Sequence, residues 1–420
     1  MTALVFLALL LIGLPVGLIL CLAALAYIVQ SGNPLLLDSY PLKMFTSLDN
    51  FGLLAIPLFI LIGELMNAAG ITTQLVRLAA ACVGALRGGL AYINLLANMM
   101  VASILGSATA QIAMMAKVMV PEMEKAGYDR AFATGLTAFG GLLGPIIPPS
   151  IVFVVYAVLA QVAVSDMLMA GILPGLLLTL LFVLTVAVLG WRQGFPAGQG
   201  LPWRDRLAAL RTALPMLLIP AAVIGMILGG YGSPTEAAAV GALLAALVGI
   251  FHTRSLRLRD LPGILLRTGL SSALVLFLVA GAGVFSWVLI FGQVPQMAAG
   301  WIQDVATTPM AFMLLVLVVL LLVGTVIDGI PGLIMVVPIL LPIATDVYGI
   351  HPLHFGVVVS VNLILGLLSP PVGVGLFVAA SVAGVSPLRV VAVTLPFYAV
   401  ACAALVVLAL VPWFSLALLP

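Results

Sequence analysis

Four interruptions of apolar segments carry residue types that could bind an ion or a small solute. They are Gly106-Ser107 with Thr109, residues 140–150 with Pro148-Pro149, residues 328–332 beginning at Asp328, and residues 362–373 with Pro370-Pro371. A proline inside a helix removes one backbone hydrogen bond and frees a carbonyl, and two successive prolines do so twice. Freed carbonyls and Ser or Thr hydroxyls are oxygen ligands for a hard monovalent cation. The N–H groups that begin the following half-helix could bind an anion.

The composition around these interruptions is that of an integral membrane protein. Of the 420 residues, 64% are hydrophobic and 7% are charged, whereas soluble proteins have roughly 45–50% apolar and about 25% charged residues. We therefore expect membrane lipid around the chain. The formal charge of +2 offers no extended basic surface, so nucleic acid is not an expected partner. The sequence shows no metal-site spacing of His or Cys and no phosphate-binding loop, and we expect no cofactor.

Hydrophobic length predicts nine membrane crossings and two hairpins. A crossing needs about 20 apolar residues, and the candidates are residues 2–29, 51–69, 131–162, 167–191, 214–230, 236–251, 269–291, 355–383 and 389–414. Two further segments, residues 90–126 and 311–347, are too long for one helix and break in the middle. We expect each to be a re-entrant helical hairpin, which enters and leaves on one side of the membrane.

The order of these segments predicts an all-α protein with an inverted repeat. Residues 51–191 and residues 269–420 each contain a span, an amphipathic connector, a hairpin, a broken helix and a final span. Residues 1–50 are expected to form a first scaffold span with an outer loop, and residues 192–268 to form two linking scaffold spans. Inverted repeats with interrupted helices are typical of secondary transporters, which bind substrate and ions near the membrane midplane.

Lys and Arg predict the orientation. Two Arg-rich linkers, residues 192–211 and 254–267, fall on the same side, which should be the cytoplasm. This places the N-terminus in the cytoplasm and the C-terminus outside, and leaves Lys43 as the one basic residue of 15 on the outer side. The first hairpin then opens to the cytoplasm and the second to the outside.

Three acidic residues in or beside the predicted spans have alternative interpretations. Asp328 at a hairpin tip could contact substrate or ion or act in gating, or it could simply cap the helix that follows. Glu64 could pair with a scaffold group or be an ordinary interfacial residue. Glu236 follows Ser233 at a helix start, where capping is the favoured interpretation.

Five short motifs resemble the large membrane subunit of TRAP (tripartite ATP-independent periplasmic) transporters. They are GSATA at residues 106–110, PEM at 121–123, GPIIPPS at 144–150, SPTEAA at 233–238 and SPPVG at 369–373. The resemblance covers essentially the whole chain. It implies an elevator-type transporter in the bacterial inner membrane that couples sodium to uptake of a carboxylate-bearing solute, such as a C4-dicarboxylate or a sugar acid. It also implies two partners, a periplasmic substrate-binding protein and a small four-helix membrane subunit.

The resemblance also implies two sodium sites, each between a hairpin and the broken helix that follows. The first carries over to Ser103, Leu105, Gly106, Ser107, Gly144, Ile147 and Pro148, and the second to Gly324, Gly366, Ser369 and Val372. Leu105 and Ala108 replace the small or hydroxyl residues usual in the family, so main-chain oxygens are expected to contribute more. The solute would lie between the hairpin tips, with Ser107, Thr109, Pro149, Asp328 and Asn362 as expected contacts.

Two other functions remain open from the sequence. One is a stand-alone sodium/carboxylate symporter of related fold, which would have no small membrane partner. The other is an intramembrane enzyme acting on a lipid-linked substrate. The enzyme is disfavoured because the sequence offers no clustered carboxylates, metal ligands or nucleophile with a nearby base.

The predicted orientation can be tested by cysteine labelling in a background that lacks Cys21, Cys82 and Cys402. A cysteine at Lys125 should react with a membrane-impermeant thiol reagent only from the cytoplasmic side, and one at Asp346 only from the periplasmic side. Each hairpin returns the chain to the face it left, so the flanking loops keep the sidedness of the Arg-rich linkers. Labelling of both positions from one side would mean that one hairpin is a full span.

Overall fold

The computed structural model describes residues 2–83, 88–196, 202–370 and 372–419, and within these ranges the secondary structure is helical. Eight helical segments of the described chain are long and apolar enough to cross a membrane. They are Phe51–Ala68, Val164–Gln193, Trp203–Leu228, Pro234–His252, Leu258–Phe291, Pro309–Val326, Gly329–Val347 and Pro387–Leu410. The expectation of an all-helical polytopic membrane protein is therefore confirmed.

The N-terminal region differs from its prediction. Residues 2–29 form two helices, α1 (Thr2–Leu11) and α2 (Val16–Ser31), which pack against each other. Helix α1 ends because Gly13 adopts a left-handed conformation with φ of 82°, and Pro15 then begins a new helix. The expected outer loop is also helical, since α3 spans Pro34–Thr46. Its start is stabilised by Asn33, whose side chain accepts a hydrogen bond from the Leu35 N–H at 3.1 Å.

The first repeat contains the expected elements in the expected order. They are α4 (Ala55–Ala68), the connector α5 (Ile71–Val83), the hairpin helices α6 (Gly89–Leu105) and α7 (Ala108–Lys125), the broken pair α8 (Arg130–Gly141) and α9 (Ile151–Ala160), and the final pair α10 (Val164–Ala170) and α11 (Ile172–Gln193). The hairpin break falls at Gly106-Ser107, as predicted.

Two linking helices follow, α12 (Trp203–Leu228) and α13 (Pro234–Leu247). Ser233 and Glu236 form a capping box at the start of α13, which confirms the capping interpretation of Glu236. Glu64 pairs with Arg267 at 2.7 Å, so this carboxylate joins α4 to the helix that begins the second repeat.

The second repeat has the same order of elements. They are α14 (Leu261–Phe291), the connector α15 (Val294–Val305), the hairpin helices α16 (Pro309–Val326) and α17 (Gly329–Pro342), the broken pair α18 (Pro352–Gly366) and α19 (Val374–Ala383), and α20 (Pro387–Leu410), followed by the short α21 (Trp413–Leu416).

Two of the predicted breaks are shorter than expected. The second hairpin breaks only at Ile327-Asp328, because Asp328 caps α17 and Pro331 lies in the first helical turn, where a missing N–H costs nothing. In the second broken helix, α18 continues through Asn362 to Gly366, so that interruption begins at residue 367. Pro371 within it lies outside the described residues.

The two repeats exchange their packing partners. Each hairpin packs on the first half of its own broken helix, α7 on α8 and α16 on α18. The second helix of each hairpin then packs on the second half of the other broken helix, α7 on α19 and α17 on α9. The four helices that follow the interruptions therefore pack in two pairs, each with one helix from each repeat. The re-entrant path of the hairpins and the opposite directions of the repeats in the membrane stay predictions.

Candidate functional site

The first interruption pair joins the tip of the first hairpin to the break between α8 and α9. Gly106 has φ of 55°, and a Cβ there would lie 3.1 Å from the Ile151 side chain, so only glycine fits this left-handed position. Ser107 caps α7, and its hydroxyl lies 3.3 Å from that of Thr109. The side chains of Ser103 and Leu105 lie outside the described part of the chain.

Residues 142–150 form tight turns between α8 and α9, and Pro148-Pro149 is a cis peptide. Ser150 ends the interruption by accepting a hydrogen bond from the Phe153 N–H at 3.3 Å, while its hydroxyl donates to the Pro145 carbonyl. Within the described ranges, the carbonyls of Ile147 and Pro148 accept no backbone hydrogen bond. The predicted residues Gly144, Ile147 and Pro148 therefore lie on a segment with free acceptors.

Gly144 faces a polar residue that is not among the sodium-site residues implied by the family resemblance. A Cβ at Gly144 would lie 2.5 Å from Gln111 Oε1 on α7. Gln111 is bonded in turn to Asn98 and, through it, to Asn94 on α6. All three amides are fully buried. The signal in the sequence is a pair of Asn four residues apart in an apolar hairpin helix, which is costly in a membrane unless the side chains are partnered.

The second interruption pair is closed by backbone contact. A Cβ at Gly366 would lie 2.5 Å from the Gly324 Cα, so α16 and α18 touch directly at these two glycines. The Gly373 N–H donates to the Thr325 carbonyl at 2.8 Å, and the Leu367 carbonyl accepts from the N–H groups of Gly375 and Leu376. The predicted residues Gly324, Gly366 and Ser369 thus lie together, while Val372 is 41% exposed.

Ser369 has two protein partners. Its hydroxyl donates to the Leu365 carbonyl at 3.1 Å and lies 2.6 Å from the Tyr398 hydroxyl on α20. Because one Ser proton is used on Leu365, Tyr398 acts as the donor to Ser369. The sequence reasoning missed Tyr398, since nothing along the chain links α20 to the break.

The five expected solute contacts differ in access. Asp328 is exposed, with its carboxylate accepting from the Gly329 N–H at 2.7 Å, and Ser107 and Thr109 are half-buried. Pro149 is buried, and Asn362 is fully buried with its amide donating to the Leu317 carbonyl at 2.9 Å. The expected contacts that are accessible to a solute are therefore those at the two hairpin tips. Asn362 faces the interior in this structure, because α18 extends through it.

A polar cleft of about 860 Å³ lies between two groups of helices. One wall is formed by the end of α3 and by α14, and the other by the end of α9 and by α17. Lys43, the basic residue predicted on the outer side, lines this cleft with its ammonium group 5.9 Å from the centre of the Trp287 ring.

Comparison with known proteins shows to which family this chain belongs. Residues 3–414 match the family "Tripartite ATP-independent periplasmic transporter, DctM component". The chain belongs to this family. It is thus a transporter component, and family membership does not support the interpretation as an intramembrane enzyme.

Two relatives support the family assignment, and one solved structure shares the fold. The chain is 37% identical to the C4-dicarboxylate TRAP transporter large permease protein of Pseudomonas aeruginosa, over 90% of this chain and 89% of the relative. It is 34% identical to the sialic acid TRAP transporter large permease protein of Vibrio cholerae, over 98% and 96%. The Alcanivorax borkumensis YdaH transporter shares the fold at a TM-score of 0.66 and 17% identity, over 90% of this chain and 87% of that one.

The contact between Gly324 and Gly366 predicts a stability effect. Gly366→Ala should lower the free energy of unfolding by about 1–3 kcal/mol, because backbone on the facing helix must move to admit the Cβ. Gly300→Ala is the control, since no atom lies within 4 Å of a Cβ there and a helical alanine is favoured over glycine by roughly 0.5–1 kcal/mol. Thermal unfolding of the purified protein measures both, and equal midpoints would contradict the direct contact.

Proposed function

We propose that this chain is the large permease subunit of a sodium-coupled importer for a small carboxylate-bearing solute. The observation that carries the proposal is the pairing of each hairpin break with an interrupted helix inside a TRAP-family chain. Enclosed non-helical backbone at membrane depth is the usual setting for ion and substrate sites in secondary transporters.

The chemistry of the interior favours a metal cation over a proton as coupling ion. The buried polar side chains of the described residues are Asn, Gln, Ser, Thr and one His, with no Asp, Glu, Lys or Arg among them. A proton relay needs titratable groups along a path. Neutral hydroxyl, amide and carbonyl oxygens instead suit a hard monovalent ion. Two such oxygens are the carbonyls of Ile147 and Pro148, which accept no backbone hydrogen bond within the described part of the chain.

The solute is expected to bind at the two accessible hairpin tips. Ser107 and Thr109 offer hydroxyl groups at one tip, and Asp328 stands at the other. Since a carboxylate repels an anionic solute, we assign Asp328 to capping and to contact with a cation rather than with the solute carboxylate. The names of the relatives support an anionic solute, because a C4-dicarboxylate and a sialic acid both carry carboxylates.

Two protein partners complete the transporter in this proposal. The family is described as tripartite, and the relatives are named large permease proteins, which supports a small four-helix membrane subunit and a periplasmic substrate-binding protein. The small membrane subunit is proposed to assemble beside this chain in the membrane.

We place the complex in the bacterial inner membrane with the N-terminus cytoplasmic and the C-terminus periplasmic. A lipid-facing surface is consistent with the exposed leucines of α12, which include Leu207, Leu210, Leu214 and Leu218.

Transport is proposed to follow an elevator mechanism. The two hairpins and two broken helices interlock through their exchanged packing, so they can move as one body. Helices α2, α4, α12, α13 and α14, with the connectors α5 and α15, would form the scaffold. The polar cleft between α3 and α14 on one side and α9 and α17 on the other supports this division.

The first test is ion dependence. Uptake into proteoliposomes that contain the full complex and its binding protein should require an inward sodium gradient, because the buried polar side chains that the structure describes are, apart from one His, neutral oxygen ligands and include no carboxylate. Labelled solute uptake is measured with sodium or potassium outside at a fixed proton gradient. Equal uptake in both ions would contradict sodium coupling.

The second test concerns Ser369. Ser369→Ala should raise the sodium concentration for half-maximal uptake by several-fold, corresponding to about 1–2 kcal/mol for one lost oxygen contact. Tyr398→Phe is the matched control, since it removes the same 2.6 Å hydrogen bond but keeps the serine hydroxyl. A shift in the first variant alone supports a ligand role, whereas equal shifts in both would assign Ser369 to packing.

A further inference from the structure

A chain of hydrogen-bonded polar side chains runs through the first hairpin. It links Thr137 on α8, Asn94 and Asn98 on α6 and Gln111 on α7, and each of these residues is fully buried. The Asn94 amide donates to the Thr137 hydroxyl at 2.7 Å, the Asn98 amide donates to Asn94 Oδ1 at 2.7 Å, and the Gln111 amide donates to Asn98 Oδ1 at 3.1 Å. Each side chain therefore donates to the next in the same order, from Gln111 through Asn98 and Asn94 to Thr137.

Backbone carbonyls fix the orientation of two of the amides. Asn98 Nδ2 lies 2.9 Å from the Asn94 carbonyl oxygen, and Gln111 Nε2 lies 2.8 Å from the Asn98 carbonyl oxygen. A carbonyl only accepts, so the nitrogen of each side-chain amide must face it. A flipped amide would set two oxygens against each other, and Gln111 Oε1 is therefore the atom at the end of the chain.

That terminal oxygen has no hydrogen-bond donor among the described residues, although it is completely buried. Leaving such an acceptor unsatisfied costs about 1–3 kcal/mol. Amides that donate in series polarise one another, which increases the negative partial charge on the last oxygen. A buried, polarised oxygen without a donor is suited to a cation.

Its position points to the first interruption. A Cβ at Gly144 would lie 2.5 Å from Gln111 Oε1 and 3.3 Å from the Gly141 carbonyl oxygen. The absence of a side chain at Gly144 thus lets the amide oxygen reach the interrupted segment, where the Ile147 and Pro148 carbonyls accept no backbone hydrogen bond from any residue that the structure describes.

We propose that Gln111 is a neutral side-chain ligand for the cation bound at the first interruption, with Thr137, Asn94 and Asn98 as positioning residues that hold and polarise it. This inference rests on the proposed cation coupling and adds a residue outside the motif-based site. It also makes the two sites unequal. Gln111 lies four residues after Ser107, the N-cap of α7, and the residue four positions after Asp328, the N-cap of α17, is Gly332, which offers no side-chain oxygen.

The experiment measures thermal stabilisation of the purified full complex by sodium chloride, with potassium chloride at equal ionic strength as reference. The wild-type complex should be stabilised by sodium in a saturable way. Gln111→Leu should raise the half-saturating sodium concentration about tenfold, which corresponds to about 1.4 kcal/mol. Thr134→Val is the matched control, because Thr134 is equally buried on α8 but bonds only the Arg130 carbonyl of its own helix.

Gln111→Glu keeps the shape of the side chain and puts a carboxyl oxygen where Gln111 Nε2 donates to Asn98; the protonated acid can still donate there, whereas its deprotonation adds a negative charge beside the proposed cation. Its half-saturating sodium concentration should fall as pH rises, while that of the wild type should not depend on pH. This variant decides the matter if Gln111→Leu fails to fold.

The outcomes separate the two proposals. If the wild type responds to sodium but both Gln111 variants keep its half-saturating concentration at every pH, Gln111 is not a ligand and the proposed cation coupling stands. An equal shift in Thr134→Val and Gln111→Leu would assign the effect to general loosening and overturn the ligand role. If sodium and potassium stabilise the wild type equally, the proposed coupling fails, and the Gln111 role fails with it.

Discussion

The fold depends on one constraint, which is that every backbone N–H and C=O inside a membrane needs a partner. A continuous helix meets this requirement by itself, whereas each of the four interruptions exposes groups that other parts of the protein must satisfy. In the second repeat, backbone groups meet part of this requirement through the bonds from Gly373 to Thr325 and from Gly375 and Leu376 to Leu367. In both repeats, some carbonyls accept no backbone hydrogen bond from the described residues, among them those of Ile147 and Pro148 in the first and of Leu368 and Ser369 in the second; the proposed cations would bind beside such oxygens.

Glycine makes these enclosures possible by allowing close approach. Gly324 and Gly366 bring two helices into backbone contact, and Gly144 admits the Gln111 oxygen to the interruption. Gly356 similarly receives the ring of Tyr156 from the other repeat. In each case a Cβ would push apart elements that must touch, so the glycines that look like mere helix breakers also determine which helices become neighbours.

The exchanged packing ties the two repeats into one unit. Helix α7 contacts α19, and α17 contacts α9, so each repeat packs against a helix of the other. Two polar contacts also join the start of α8 to the second repeat. Asp129 pairs with Arg389 of α20 at 2.8 Å, and the Arg130 side chain donates to the carbonyl of Ala383, the last residue of α19, at 2.8 Å. These contacts are the basis for the proposal that the hairpins and broken helices move as one body.

The sequence alone determined where helices begin and break, because Gly, Pro and capping residues act within a few positions of themselves. This was sufficient for the hairpin break at Gly106-Ser107, the interruption before Ser150, the capping role of Glu236 and the family. It failed at Pro15 and at Asn362, where the same local signals allow either a kink or a continued helix. Only the tertiary structure placed Gln111 beside Gly144 and Tyr398 beside Ser369, since these pairs lie about 30 residues apart and no local rule relates them. Which buried oxygens remain without a donor is likewise a property of helix packing rather than of any one segment.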